Sequence, residues 1–212
     1  MNAQDWITLI KKHRAIGIIR APSCSIGQNL VRSVSSSLNL IEITWDSESP
    51  AKLIDRLRAD FPSCTIGAGT LFSVSDLKSA IAAGAQFVFT PHTDFDLIAI
   101  ARRHQIPIVC GALTPTEIVT AWQAGASSVK VFPVQSVGGA SYIQSLQSPL
   151  GHIPLIPTGG ITIQTAKDFI EAGAIGVGIS SGLFPKAAIA AQDWDGIKQR
   201  AQFLTRSIAA VP

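Results

Sequence analysis

Lys130 stands inside Ser127-Ser128-Val129-Lys130-Val131-Phe132-Pro133, a short β-branched run with turn signals on both sides that reads as a buried strand. Lysine is rarely buried without a partner, so an interior one needs a reason. At a strand end it snorkels to solvent and packs only through its stem. Desolvated instead, it has a lowered pKa and attacks carbonyls as a free amine, forming a Schiff base. Glu42 is a second odd charge, within the apolar run Leu40-Ile41-Glu42-Ile43-Thr44. Beside a lysine it is either half of a plain buried ion pair or the proton shuttle that Schiff-base chemistry requires. Two glycine- and serine-rich stretches, Pro157-Thr158-Gly159-Gly160-Ile161 and Ile179-Ser180-Ser181-Gly182, are either tight turns or a phosphate cradle.

Which reading holds depends on the elements that carry these residues. Trp6, Leu9 and Ile10 share one helical face, predicting a leading amphipathic helix over about 4–13. Strands are expected near 16–20, 39–44, 64–68, 86–90, 106–110, 127–132, 153–157 and 175–179, each followed by a helical pattern. Ala83-Gly84-Ala85, Ala124-Gly125-Ala126 and Ala172-Gly173-Ala174 each close a helix just before a strand, where glycine is the expected left-handed cap. Ser49-Pro50, Ser73 to Asp76 and Thr114-Pro115-Thr116-Glu117 are helix starts, the last two in capping-box form. Eight strand–helix alternations in one domain spanning 1–212 predict a (β/α)8 TIM barrel with an extra N-terminal helix. An open doubly wound sheet is the alternative, weakened because no Gly-x-Gly-x-x-Gly follows the first strand.

In a barrel the site lies at the carboxyl ends of the strands. Arg20, Glu42, Thr70, Thr90-Pro91-His92, Lys130, Thr158-Gly159-Gly160 and Ser180-Ser181-Gly182 all fall there, facing one mouth. Composition fits a compact α/β core, with 47% hydrophobic and 15% charged residues. The net charge of +3 suits an anionic small molecule and is too weak and dispersed to suggest nucleic acid. No apolar run reaches membrane-spanning length. Cys24, Cys64 and Cys110 are unpaired in spacing, the pattern of reduced thiols in a cytoplasmic protein, and the four histidines lack metal-ligand spacing.

At these residues the sequence resembles the bacterial 2-keto-3-deoxy-6-phosphogluconate (KDPG) aldolases and their 4-hydroxy-2-oxoglutarate and phosphogalactonate relatives. The matching stretches are Ile18-Ile19-Arg20-Ala21, Leu40 to Thr44, Ile66-Gly67-Ala68-Gly69-Thr70, Thr90-Pro91-His92, Val129 to Pro133 and Pro157 to Ile161, in family order. The resemblance implies a metal-independent class I aldolase without cofactor, acting on a small phosphorylated keto acid, and a homotrimer. By position, Lys130 would form the imine and Glu42 would move protons at the substrate hydroxyl and the enamine carbon. Thr70 would bind the pyruvyl carboxylate, Thr158 the hydroxyls of the aldehyde half, and Gly159, Gly160 and Ser181 the phosphate. Pro91 and Phe132 would wall Lys130 from water.

One position departs from the pattern. Many members carry arginine four residues after the glutamate, where this chain has Asp46. Others have arginine at the end of strand one, the place of Arg20, so Arg20 is expected to supply the carboxylate-binding cation. A phosphosugar isomerase or epimerase, or a non-catalytic phosphosugar-binding barrel, would share the phosphate loops. Neither needs an interior lysine.

Overall fold

The computed structural model describes residues 1–211. Its strands are β1 (Ala15–Ile19), β2 (Leu40–Thr44), β3 (Thr65–Gly69), β4 (Val88–Phe89), β5 (Ile108–Ala112), β6 (Ser128–Val131), β7 (Leu155–Pro157) and β8 (Val177–Ile179). Neighbours pair in parallel in the order β7-β6-β5-β4-β3-β2-β1-β8. A parallel bridge between Thr158 and Gly178 joins the two ends, so the sheet closes as the (β/α)8 barrel that the alternation predicts. The helices are α1 (Ala3–His13), α2 (Cys24–Val34), α3 (Pro50–Asp60), α4 (Val74–Ala82), α5 (Phe95–Arg103), α6 (Pro115–Gln123), α7 (Ala140–Leu150), α8 (Ala166–Glu171), α9 (Lys186–Ala190) and α10 (Trp194–Ala209).

Local chemistry accounts for most boundaries. Gly84, Gly125 and Gly173 end α4, α6 and α8 at φ of +86°, +99° and +98°, conformations in which a Cβ is penalised. Thr114 and Glu117 form the reciprocal capping box expected at α6, whereas Ser73 caps α4 through its own side chain only. Ser49 precedes α3 in left-handed backbone, φ +49°, and its side chain caps nothing; Pro50 alone carries that start. β5 sits two residues later than expected. Its register sets Gly111 beside Lys130 and Ala112 beside Val131, and long-range pairing overrides the poor strand propensity of Gly111.

Apolar residues fill two layers. Between sheet and helices lies a continuous core that includes Leu30, Leu53, Leu77, Leu97, Ile118 and Leu204. Inside the barrel, at the amino ends of the strands, Trp6 and Ile10 of α1 pack on Ile16, Leu40, Phe87, Phe89, Val109 and Ile156. The indole N–H of Trp6 donates to Ser128 Oγ at 3.0 Å, fixing the base of β6. Ser128 and Lys130 are two apart on one strand and so share the inward face.

Candidate active site

The inward residues above that plug open into a cavity of about 430 Å³ at the carboxyl ends of the strands. The ten residues assigned a role from the sequence all line it, Arg20, Glu42, Thr70, Pro91, Lys130, Phe132, Thr158, Gly159, Gly160 and Ser181, whereas Thr90, His92 and Gly182, expected at the same mouth, do not. Lys130 is only 6% exposed, and its Nζ lies 4.8 Å from the centroid of the Phe132 ring. Glu42 is 1% exposed. Burial pushes the Lys130 amine below the usual lysine range, and Arg20 adds to that; the attraction of Glu42 opposes it. Burial likewise raises the Glu42 carboxyl, against the pull of Lys130 and Arg20. The two are not joined by an ion pair, so the plain buried salt bridge is not the arrangement present.

Glycines make this arrangement possible. Glu42 pairs in register with Gly67, and a Cβ there would strike the Phe87 ring. A Cβ on Gly69 would collide with Oε1 of Glu42 itself. Beside Lys130, Gly111 leaves room for the backbone of Pro91 and His92. Thr70 follows Gly69 at φ +62°, a strained conformation for a β-branched residue, of the kind found at functional sites. Two buried oxygens have no hydrogen-bond partner among the described residues, Glu42 Oε2 and Thr158 Oγ1. Both residues line the cavity, so a ligand there can satisfy them.

At the β7–β8 side, Gly159 and Gly160 are left-handed at φ +90° and +82°. Side chains at these positions would meet Phe132 and Gln135. After β8, the N–H groups of Leu183 and Phe184 fold back onto the Ser180 carbonyl. The next helix starts only at Lys186 and is five residues long, so turns rather than a long helix N-terminus form this end of the cavity. Arg200 of α10 donates to the Gly182 carbonyl at 2.6 Å and so ties the turn to the outer layer.

Arg20 follows β1 at the rim, where its Nε meets Asp46 Oδ2 at 2.7 Å. In sequence the two positions are alternative places for a carboxylate-binding arginine, with Arg20 filling that role; the fold pairs Arg20 with the aspartate at the other position. Sequence reasoning missed Thr44, buried at the end of β2, with Oγ1 at 3.3 Å from Ser47 Oγ, and Ile18; both line the cavity. Period-2 spacing from Glu42 and from Arg20 is the signal that finds them. Phe72, stacked on His92 at 5.7 Å, also lines the mouth, and nothing in its local sequence marks it.

Fold and cavity together define a (β/α)8 barrel that brings a desolvated amine and a desolvated carboxyl to one mouth. The family model for KDPG and KHG aldolases matches residues 7–200, and the chain belongs to that aldolase family, whose members are lyases acting on small molecules. The 2-dehydro-3-deoxy-phosphogluconate aldolase of Haemophilus influenzae is 33% identical over 162 residues, 76% of each chain. That of Treponema pallidum is 28% identical over 194 residues, 91% of this chain and 92% of the relative. A solved structure described as native KDPGal superposes with a TM-score of 0.85 at 26% identity, covering 93% of this chain and 95% of the other. No helix among the described residues is long and apolar enough to cross a membrane.

Proposed function

We propose that this chain is a metal-independent class I aldolase cleaving KDPG to pyruvate and glyceraldehyde 3-phosphate. The related cleavage of 4-hydroxy-2-oxoglutarate to pyruvate and glyoxylate fits the same site, as does the phosphogalactonate epimer of KDPG. The observation that carries the reading is the Lys130 amine, 6% exposed and shifted toward its neutral form, in a cavity shared with Glu42. Free amine attacks the keto carbon and loses water as the imine forms. Once protonated, the imine draws in the electron pair of the bond between the α and β carbons as that bond breaks, leaving an enamine on Lys130 and an aldehyde at the β carbon. Glu42, held near the amine without being locked to it, takes the proton of the substrate hydroxyl and returns one to the enamine carbon. Hydrolysis of the resulting imine frees pyruvate and regenerates Lys130.

The remaining roles follow position. Thr70 and Arg20 hold the pyruvyl carboxylate, and Thr158 offers its unpaired Oγ1 to the substrate hydroxyls. Gly159, Gly160 and Ser181 receive the phosphate, and Pro91 and Phe132 keep water from the amine. Residues 1–212 act as one catalytic domain, in a cytoplasmic homotrimer. Borohydride reduction in the presence of pyruvate tests the mechanism. The expected result is a mass increase, equal to one reduced pyruvyl group, localised to Lys130; an unmodified Lys130 refutes it. Steady-state rates on KDPG, its galactonate epimer and 4-hydroxy-2-oxoglutarate then rank the substrates.

A further inference from the structure

Arg20 borders two cavities: the 430 Å³ mouth that holds Lys130, and a neighbouring one of about 730 Å³ between the β1 and β2 loops and α9. Asp46 lines only the second. The Arg20–Asp46 pair therefore stands in the wall between them. Its side chains are 60% and 50% exposed, and an ion pair so open to solvent adds little to stability. A role for it in holding the barrel together is a weak explanation.

The geometry suggests a different one. Asp46 engages Nε, and neither terminal nitrogen of Arg20 makes a hydrogen bond with another described residue. Guanidinium binds carboxylates best through two parallel N–H groups, so a partner on Nε leaves the paired terminal edge available. The residues on either side of Asp46 are tied down. The Trp45 N–H donates to the Gly69 carbonyl at 2.7 Å, and the Trp45 indole donates to Asp76 Oδ1 at 3.0 Å. On its other side, Ser47 Oγ accepts from the Ala21 N–H at 2.9 Å, and the Glu48 N–H donates to the Ala21 carbonyl at 3.0 Å. These bonds tie the residues flanking Asp46 to the residue after Arg20 and to the turn before Thr70.

We propose that Asp46 is a positioning residue for Arg20, anchoring its Nε so that the two terminal nitrogens face the substrate carboxylate in the barrel mouth. The inference rests on the aldolase reading above. It gives the aspartate a use at a place where an opposite charge looks adverse to an anionic substrate. Asp46 limits the rotamers of a long side chain before substrate arrives, and ordering one such side chain is worth roughly three- to tenfold in affinity.

The test is the pyruvate concentration that half-saturates borohydride trapping at Lys130. Wild type, Asp46→Ala and Asp46→Asn are compared, each also in an Arg20→Met background, with circular dichroism to confirm folding. Asp46→Ala is expected to raise half-saturation about three- to tenfold without changing the extent of trapping at saturating pyruvate. Asp46→Asn, whose amide oxygen still accepts from Nε, restores it to within about twofold. With Arg20 replaced, Asp46→Ala has no further effect. The inference is overturned if half-saturation is unchanged, or if both Asp46 variants lower it, which would make the aspartate a brake on the charge of Arg20. A persistent effect of Asp46→Ala in the Arg20→Met background also overturns it. Failure to trap wild-type Lys130 takes down the aldolase reading, and this inference with it.

Discussion

The two ends of the barrel are built on opposite principles. At the amino ends of the strands, Trp6, Phe87 and Phe89 pack in tilted and edge-on contacts with centroids 4.9 to 6.2 Å apart, and the indole N–H is satisfied by Ser128. At the carboxyl ends, about one strand layer away, Lys130 and Glu42 are buried without an ion pair, and Glu42 Oε2 and Thr158 Oγ1 lack partners. The first end is close-packed and apolar, so it contributes stability. The second leaves polar groups desolvated and unpaired, which costs stability and holds them ready for a ligand. β6 spans both, with Ser128 in one layer and Lys130 in the next.

That contrast is sharpest if each end can be disabled alone. The largest effect is expected from Lys130→Met, which removes the nucleophile and should abolish cleavage in a stopped assay while leaving the circular dichroism spectrum unchanged. The variant should also melt no lower than wild type near neutral pH, because a buried amine has been replaced by an apolar chain of similar size. The native Lys130 pKa lies below the ordinary value of 10.5, so the unfolded chain binds more protons in between. The advantage of Lys130→Met should therefore shrink as pH rises toward 10.5 and be fullest below the native value. A large stability loss in Lys130→Met would erase the distinction between the ends.

Trp6→Ala attacks the opposite end. It opens a cavity and strips Ser128 of its partner, at a cost of about 3–5 kcal/mol in denaturant unfolding. Turnover per folded molecule should stay near wild type at low temperature. Gly69→Ala is smaller and falls on chemistry. Its Cβ must push Glu42 aside, and kcat should drop about ten- to a hundredfold, with the pyruvate half-saturation of Lys130 trapping little changed. Equal loss in Glu42→Gln and in the double variant would show that Gly69 acts through the carboxylate; additive losses would show that it does not.

Much of this was readable along the chain because the signals are local. The Ala-Gly-Ala repeats mark helix ends at Gly84, Gly125 and Gly173, since left-handed backbone excludes most side chains. The Thr114–Glu117 box marks a helix start through bonds spanning three residues. A charge inside an apolar strand, at Glu42 and at Lys130, is visible because burial contradicts the residue type. Once strands and helices alternate eight times, the barrel rule sends the ends of all strands to one mouth, and the ten candidate residues meet there.

What depended on partners distant in sequence was not readable. Ser49 looks like a cap, yet its left-handed backbone turns the hydroxyl away from that role. The register of β5 is settled by its pairing with β6, not by the propensity of Gly111. Sequence predicts the amphipathic face of α1, but only the closed barrel reveals that this face plugs it and reaches Ser128, 122 residues away. Arg20 and Asp46 are each legible as odd charges near a mouth. That they bind one another follows from β1 and β2 lying side by side, with their following loops hydrogen-bonded through Ala21, Ser47 and Glu48. Periodicity and caps act within a few residues and so determine the elements; which side chains touch across the barrel is decided by closure of the sheet, where pairing and packing outweigh local preference.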